Sequence, residues 1–187
     1  MLPSQFDWPP GENRGIEENA QGGVIYTPSP VQWATSDIAA HCDLLWMLAR
    51  EDSVKSILEI GVRGGLSAKA FLMGLSQSGG GRYVGVDIEP VVLDWTPANV
   101  DITLLSPTDA LKLTEKFDLL HIDGYHSYEQ VLWDYIHYWE FLNPRAWVLF
   151  HDATCMKGVR DAVMKLRHEF VEFVVFPWCN GMAVARI

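Results

Sequence analysis

The sequence predicts an α/β chain with a doubly wound, mostly parallel sheet of seven strands that ends in an antiparallel hairpin. Two observations predict it. Five short runs rich in Val, Ile and Leu ("SILEIGV", "RYVGVDIE", "DITLLS", "FDLLHID" and "AWVLFHD") alternate with helix-like or polar segments. That is the pattern of parallel strands covered on both faces. Two further runs, "VEFVVFP" and "GMAVARI", are joined only by "WCN". The link is too short for a parallel crossover, so the two must pair as a hairpin.

The elements can be placed in order. Residues 1–34 are rich in Pro, Gly, Asn and Gln, with Trp8, Tyr26 and Trp33 interspersed, and show no period of two or of 3.6. They read as an N-terminal arm or lid, and residues 35–187 as one domain. From Thr35 or Ser36, both suitable N-caps, Ile38, Cys42, Leu45, Leu48 and Ala49 repeat at helical spacing to about Glu51. After the first strand, "LSAKAFLMGL" predicts a helix closed by "SQSGGG". The connection "PVVLDWTPANV" is barely long enough for a crossover, so its helix is short or missing.

Ser127 with Gln130 suits a capping box, and Tyr128, Val131, Leu132, Tyr135, Trp139 and Leu142 continue a helix until Asn143-Pro144. A last helix runs from Gly158 to Phe170 through Val159, Val163 and Leu166.

Composition narrows the function. At 187 residues and 49% hydrophobic content, one domain with one sizeable core is expected. Fourteen basic against twenty-four acidic residues give a charge of −10, and no Lys/Arg cluster stands out, so nucleic acid and anionic membrane are poor partners. No apolar stretch approaches the roughly 18 residues of a membrane span, and the N-terminus lacks the order of a signal peptide. A soluble, cytoplasmic protein is expected, with self-association into a homo-oligomer left open. Cys42, Cys155 and Cys179 form no CxxC pair and read as reduced, mostly buried thiols.

The candidate site lies where strands end. Gly61, Gly64 and Gly65 follow the first strand, where glycines let the backbone approach a ligand and the next helix offers free N–H groups. The spacing is not GxGxxG, which counts against a dinucleotide. Asp87 ends the second strand about twenty residues past the turn, where an acid accepts hydrogen bonds from ribose hydroxyls. Glu59, inside an apolar strand, needs a partner such as a cationic ligand group or a bound water.

Together these motifs resemble the class I S-adenosylmethionine-dependent methyltransferases, with their Rossmann-like fold. "ILEIGVRGGLS" resembles that family's first motif, "VGVDIEP" its second and "FDLLHIDG" its fourth, over a resemblance spanning about residues 36 to 187. The stretch from "LLHIDGYHSYEQV" through "VLFHD" to "GVRDAV" resembles, more narrowly, the metal-dependent small-molecule O-methyltransferase branch. The resemblance implies that Glu59, Gly61, Gly64, Ser67, Asp87, Asp109 and Asp123 line the cofactor. Asp109 is explained equally well as an acid favoured at a helix N-terminus. It also implies that Asp123 and Asp152 hold a divalent metal of Mg or Mn type. His151 stands where relatives commonly carry a second acid, and an imidazole there shifts metal preference toward Mn²⁺, Fe²⁺ or Zn²⁺.

Methylation of a hydroxyl requires removal of its proton as it attacks the sulfonium methyl, and His126 is the expected general base. His121 reads as a core histidine, and His41, His137 and His168 fall in helices with no expected chemistry. The implied function is methyl transfer from S-adenosylmethionine to a hydroxyl of a small molecule, of sugar or natural-product type. Tyr125, Trp95, Trp178 and Trp8 suit the walls of an acceptor pocket, whereas Tyr128 reads as packing. Alternatives are a NAD(P)-binding Rossmann oxidoreductase and a non-catalytic S-adenosylmethionine-binding protein.

Overall fold

The computed structural model describes residues 33–187, preceded by the backbone of two short strands. These strands, β1 (Gly15–Glu18) and β2 (Val24–Thr27), pair antiparallel with Gly15 opposite Thr27. The arm thus carries a hairpin that its sequence period did not predict. Trp8 and the side chain of Tyr26 lie outside the described residues. Trp33 closes the arm against the domain, its indole Nε1 donating to Asp43 Oδ1 at 2.6 Å.

The first helix, α1 (Cys42–Arg50), starts later than its expected caps. Ser36 turns its hydroxyl onto Asp37, and its carbonyl accepts from Ala39 N–H, so a turn and a 3₁₀ segment at Ala39–His41 come first. Then follow β3 (Ser56–Ile60), α2 (Leu66–Gln77), β4 (Gly81–Val86), β5 (Val100–Leu105) and α3 (Pro107–Ala110). The chain ends with β6 (Phe117–Ile122), α4 (Tyr128–Trp139), β7 (Leu142–His151), α5 (Lys157–Leu166), β8 (Glu172–Phe176) and β9 (Met182–Arg186). As expected, no helix fills the crossover from β4 to β5.

The seven-stranded sheet has the order β5-β4-β3-β6-β7-β9-β8, parallel except at β9, which runs antiparallel to β7 and β8. Period-two alternation divides its side chains between two cores. Leu58, Val84, Leu120 and Val148 pack with α4 and α5 through Tyr135 and Val159, while Ile57, Tyr83, Leu119 and Leu149 pack with α1 and α2 through Leu45 and Phe71. Coverage on both faces explains why the runs are apolar throughout rather than alternating.

Two expectations are corrected around α4. The helix stops at Trp139, and Asn143-Pro144 lie inside β7. The pairing register jumps there, from Phe117 opposite Leu142 to Leu119 opposite Trp147, so the proline sits in a bulge that needs no N–H from it. Ser127 Oγ does cap the helix, accepting from Gln130 N–H at 3.1 Å, but the Gln130 amide bonds Asp134 instead of completing the box. Among the described residues, no helix is long and apolar enough to cross a membrane.

The order in which strands are added to the sheet reverses between β3 and β6, which pair directly and in parallel. The crevice outside the carboxyl ends of such a pair is where ligands bind in open α/β sheets. The glycine turn leaves β3 on one side of it, and Asp123 leaves β6 on the other.

Candidate active site

The turn after β3 is held by its neighbours. Gly61 adopts φ +89°, and a Cβ there would lie 2.2 Å from the Asp123 carbonyl oxygen. Only glycine allows the two strand ends to meet so closely. Asp87, just past β4, accepts from Val62 N–H at 2.9 Å and Arg63 N–H at 2.7 Å through Oδ2, and from Glu89 N–H at 2.9 Å through Oδ1. Partial burial raises its pKa, but the backbone donors at Glu89, Arg63, Val62 and Ile88 outweigh that and hold the carboxyl below its ordinary range. Asp87, expected to bind ribose, therefore also anchors the turn. Asp87→Asn would turn an amide N–H toward backbone donors and cost about 1–3 kcal/mol; urea unfolding should show that loss together with weaker S-adenosylmethionine binding.

Two other residues expected at the cofactor have local partners. Glu59 is fully buried and needs no ligand group: it accepts from the Tyr83 hydroxyl, and His121 Nδ1 lies 3.1 Å from its other oxygen. This corrects the expected ligand contact, because the carboxylate faces the α1–α2 core beneath the crevice. His121, packed edge-on against Phe71, is the core histidine expected. Asp109 is exposed on α3, paired with Ser106 Oγ and with Lys112 Nζ at 2.7 Å, which is the helix-terminal reading. Ser67 is buried in the first turn of α2, whereas at Gly64 a Cβ would meet nothing within 4 Å.

Four residues converge outside β6 and β7. His126 Nε2 lies 2.9 Å from Asp152 Oδ2 and 4.0 Å from Asp123 Oδ1. Position 126 is set from below by α5: a Cβ at Gly158 would lie 2.3 Å from the His126 carbonyl oxygen, so a larger residue would displace the turn. Asp152 itself adopts φ +60° and is 2% exposed. Its Oδ1 accepts from the Cys155 thiol at 3.3 Å.

His151 lies beneath this pair with both ring nitrogens engaged. Nδ1 is 3.2 Å from Asp123 Oδ1 and 3.4 Å from Asp152 Oδ2, and Nε2 is 3.2 Å from the Cys179 carbonyl. Burial opposes its charge, but hydrogen bonds and charge from Asp123 and Asp152 outweigh it and raise its pKa to about 10. Burial likewise pushes Asp152 up, and His151 more than reverses that, bringing it to about 2. His41, to which no chemistry was assigned, stands edge-on to His151 at 5.7 Å, its Nε2 on the Trp178 and Cys179 carbonyls. Burial and then the His151 charge lower its pKa to about 4, so it is neutral.

The supporting carbonyls come from the β8–β9 turn, where Cys179, Asn180 and Gly181 all have positive φ. The sequence placed this turn and Trp178 but gave no sign that its carbonyls, or His41, support the site. The turn reaches His151 across 28 residues of chain, and His41 reaches the turn across 137.

The expected metal ligands can be tested against these commitments. Ligand atoms of Asp123, His126 and Asp152 lie within 4.8 Å of one another, a spread that suits a cation. His151 Nδ1 stands 3.2 Å from Asp123 Oδ1 and 3.4 Å from Asp152 Oδ2, a separation at which neighbouring ligands of one ion also sit.

The surroundings also depart in part from expectation. Tyr128 packs on the core, as read, while Tyr125 and Trp95 are exposed, Trp95 in a cleft along α2 with Met73 and Gln77. Of the three thiols only Cys42 is buried; Cys155 and Cys179 are free and exposed at the site's rim.

Comparison with known proteins gives this geometry a family. The SAH-bound methyltransferase PaMTH1 of Podospora anserina is similar in structure with a TM-score of 0.63 at 15% identity, covering 82% of this chain and 79% of its own. An O-methyltransferase from Bacillus cereus, solved with SAH, gives 0.57 at 15% identity and 84% coverage of each chain. TomG of Streptomyces achromogenes, an O-methyltransferase of tomaymycin synthesis solved with SAM, gives 0.58 at 17%, covering 83% of this chain and 82% of its own. No curated protein sequence matches the chain. A family model described as a methyltransferase domain matches residues 58–153, slightly more than half of the 187 residues. That match, carried on this strand order, makes the chain a member of the methyltransferase-domain family.

Proposed function

We propose that the protein transfers the methyl group of S-adenosylmethionine to a hydroxyl of a small molecule, with His126 as general base. The observation that carries this reading is the His126–Asp152 contact at 2.9 Å, on the edge of the sheet where Asp123 abuts the glycine turn. With Nε2 facing Asp152, the His126 ring has Nδ1 left as the nitrogen that takes the acceptor's proton. The His126 side chain is 37% exposed, so an acceptor can reach it.

The chemistry follows from charge. As the acceptor oxygen attacks the methyl carbon in line, its proton passes to His126 Nδ1, the C–S bond breaks, and the sulfonium becomes a neutral thioether. The imidazolium so formed is stabilised by Asp152, which a hydrogen-bond network with Cys155 and His151 keeps ionised. Gly61, Gly64, Ser67 and Asp87 line the cofactor side in this reading. Tyr125 and Trp95 supply aromatic surface for a ring-shaped acceptor such as a sugar or phenol.

Thermal shift with S-adenosylmethionine, S-adenosylhomocysteine and NAD tests the cofactor, and mass spectrometry over a panel of sugars, phenols and hydroxylated natural products tests the acceptor. Stabilisation by both adenosyl compounds and a gain of one methyl on oxygen are expected. Stabilisation by NAD alone, or methylation only at nitrogen or carbon, would sink the proposal.

A further inference from the structure

We propose that the protein binds a phosphate group at the end of the sheet opposite the crevice, in a hollow walled by Arg145 and Arg186. The site stands apart from the methyl-transfer reading above. Ser53 ahead of β3, Asp118 at the start of β6, Arg145 and Trp147 in β7, and Arg186 at the end of β9 border a space of about 130 Å³. Pockets for whole drug-sized ligands run to about 300–1,000 Å³, so this one suits a small oxyanion or the phosphate end of a larger molecule.

Arg186 is held in place. Its guanidinium lies 4.6 Å over the Trp147 ring, and its Nε donates to the Arg145 carbonyl at 3.1 Å, across 41 residues of chain. The stack and the hydrogen bond set the plane of the fork, while its two terminal amino groups have no partner among the described residues. Arg145 stands in the β7 bulge at φ +68°, a left-handed backbone that glycine would adopt at less cost. Neither arginine is ion-paired with a described carboxylate, although the chain carries a net charge of −10.

The neighbouring acids are engaged otherwise. Asp118 Oδ2 accepts from Lys55 N–H at 2.9 Å, Ser56 N–H at 3.0 Å and Ser56 Oγ at 2.8 Å, and its Oδ1 accepts from the Asn143 amide at 2.7 Å. Glu51 Oε2 accepts from Trp147 Nε1 at 3.1 Å and from Ser53 Oγ at 3.2 Å. Two guanidinium groups thus border the hollow with one carboxylate whose oxygens face neutral donors, which leaves positive charge and free N–H groups for a ligand. Paired N–H donors on a planar guanidinium match phosphate oxygens, and a phosphate dianion can balance two such groups where a monoanion balances one.

A ¹⁵N NMR titration of the full chain with inorganic phosphate, phenyl phosphate and acetate, at constant ionic strength, reads the site through the Trp147 indole N–H and the Arg186 Nε–H. Both resonances are expected to shift and saturate with a Kd of about 1 mM or below for the phosphates, with acetate at least about tenfold weaker. Saturation by phenyl phosphate alone would assign the site to phosphate esters, and saturation by both to the phosphate group itself. Arg145→Gly, at a φ that suits glycine, is expected to keep the melting temperature and lower phosphate affinity by at least about tenfold. Arg186→Gln should weaken binding as much, and Arg160→Gln on α5 should leave it unchanged. Shifts that never saturate, acetate bound as tightly as phosphate, or an affinity that survives both Arg145→Gly and Arg186→Gln would overturn the proposal.

Discussion

His126→Ala is expected to slow methyl transfer by about 10²–10⁴-fold, the usual loss when a general base is removed, while S-adenosylmethionine binds as tightly as before. The prediction separates roles because His126 touches Asp152 and the acceptor side rather than the glycine turn. Removing it leaves Asp152 with His151 and Cys155 as partners, so neither fold nor cofactor pocket loses a support. Calorimetric titration of the cofactor and single-turnover rates with a saturating acceptor give the two quantities. His126→Gln should behave like alanine, since an amide fills the space but takes no proton. Asp152→Asn is expected to lose both rate and stability, because it also strips His151 of a counter-charge. An unchanged rate in His126→Ala would remove the general-base role, whereas cofactor binding with no transfer by the wild type would favour a chain that binds the cofactor without turnover.

How much of this was legible in the sequence depended on the range of the forces involved. The strands announced themselves because β3, β6 and β7 are buried on both faces, which leaves runs rich in Val, Ile and Leu with few polar interruptions. The terminal hairpin was legible from the length of one link. Asp123, Asp152 and His126 were legible because each sits at a strand end or the turn beyond it. Glu59 was misread for the opposite reason: its partners, Tyr83 and His121, lie on the adjacent strands β4 and β6, and strand register is not written in local pattern. The start of α1 was misplaced because Ser36 chose Asp37 over the helix N–H groups. The engagement of His151 was hidden most deeply, since it depends on a turn brought back by β9.

The glycine turn allows the sharpest separation of structure from binding. Gly61→Ala is expected to unfold or severely destabilise the protein: at φ +89° a side chain is strained, and its Cβ would lie 2.2 Å from the Asp123 oxygen and 2.8 Å from Gly124 N. The left-handed backbone costs about 1–2 kcal/mol and overpacking about 1–3 kcal/mol, against a total stability of about 5–15 kcal/mol. Both contacting atoms are backbone, so no side chain can rotate aside; the end of β6 must move, and Asp123 with it. Gly64→Ala is expected to do the reverse. Nothing lies within 4 Å of its added methyl, so stability should change by less than about 0.5 kcal/mol. Yet if the cofactor lies against this turn, that methyl projects into the space it needs, and affinity for S-adenosylmethionine should fall at unchanged melting temperature. Equal effects of the two substitutions on melting temperature and on binding would mean that the turn is only a strand connection, with the cofactor held elsewhere.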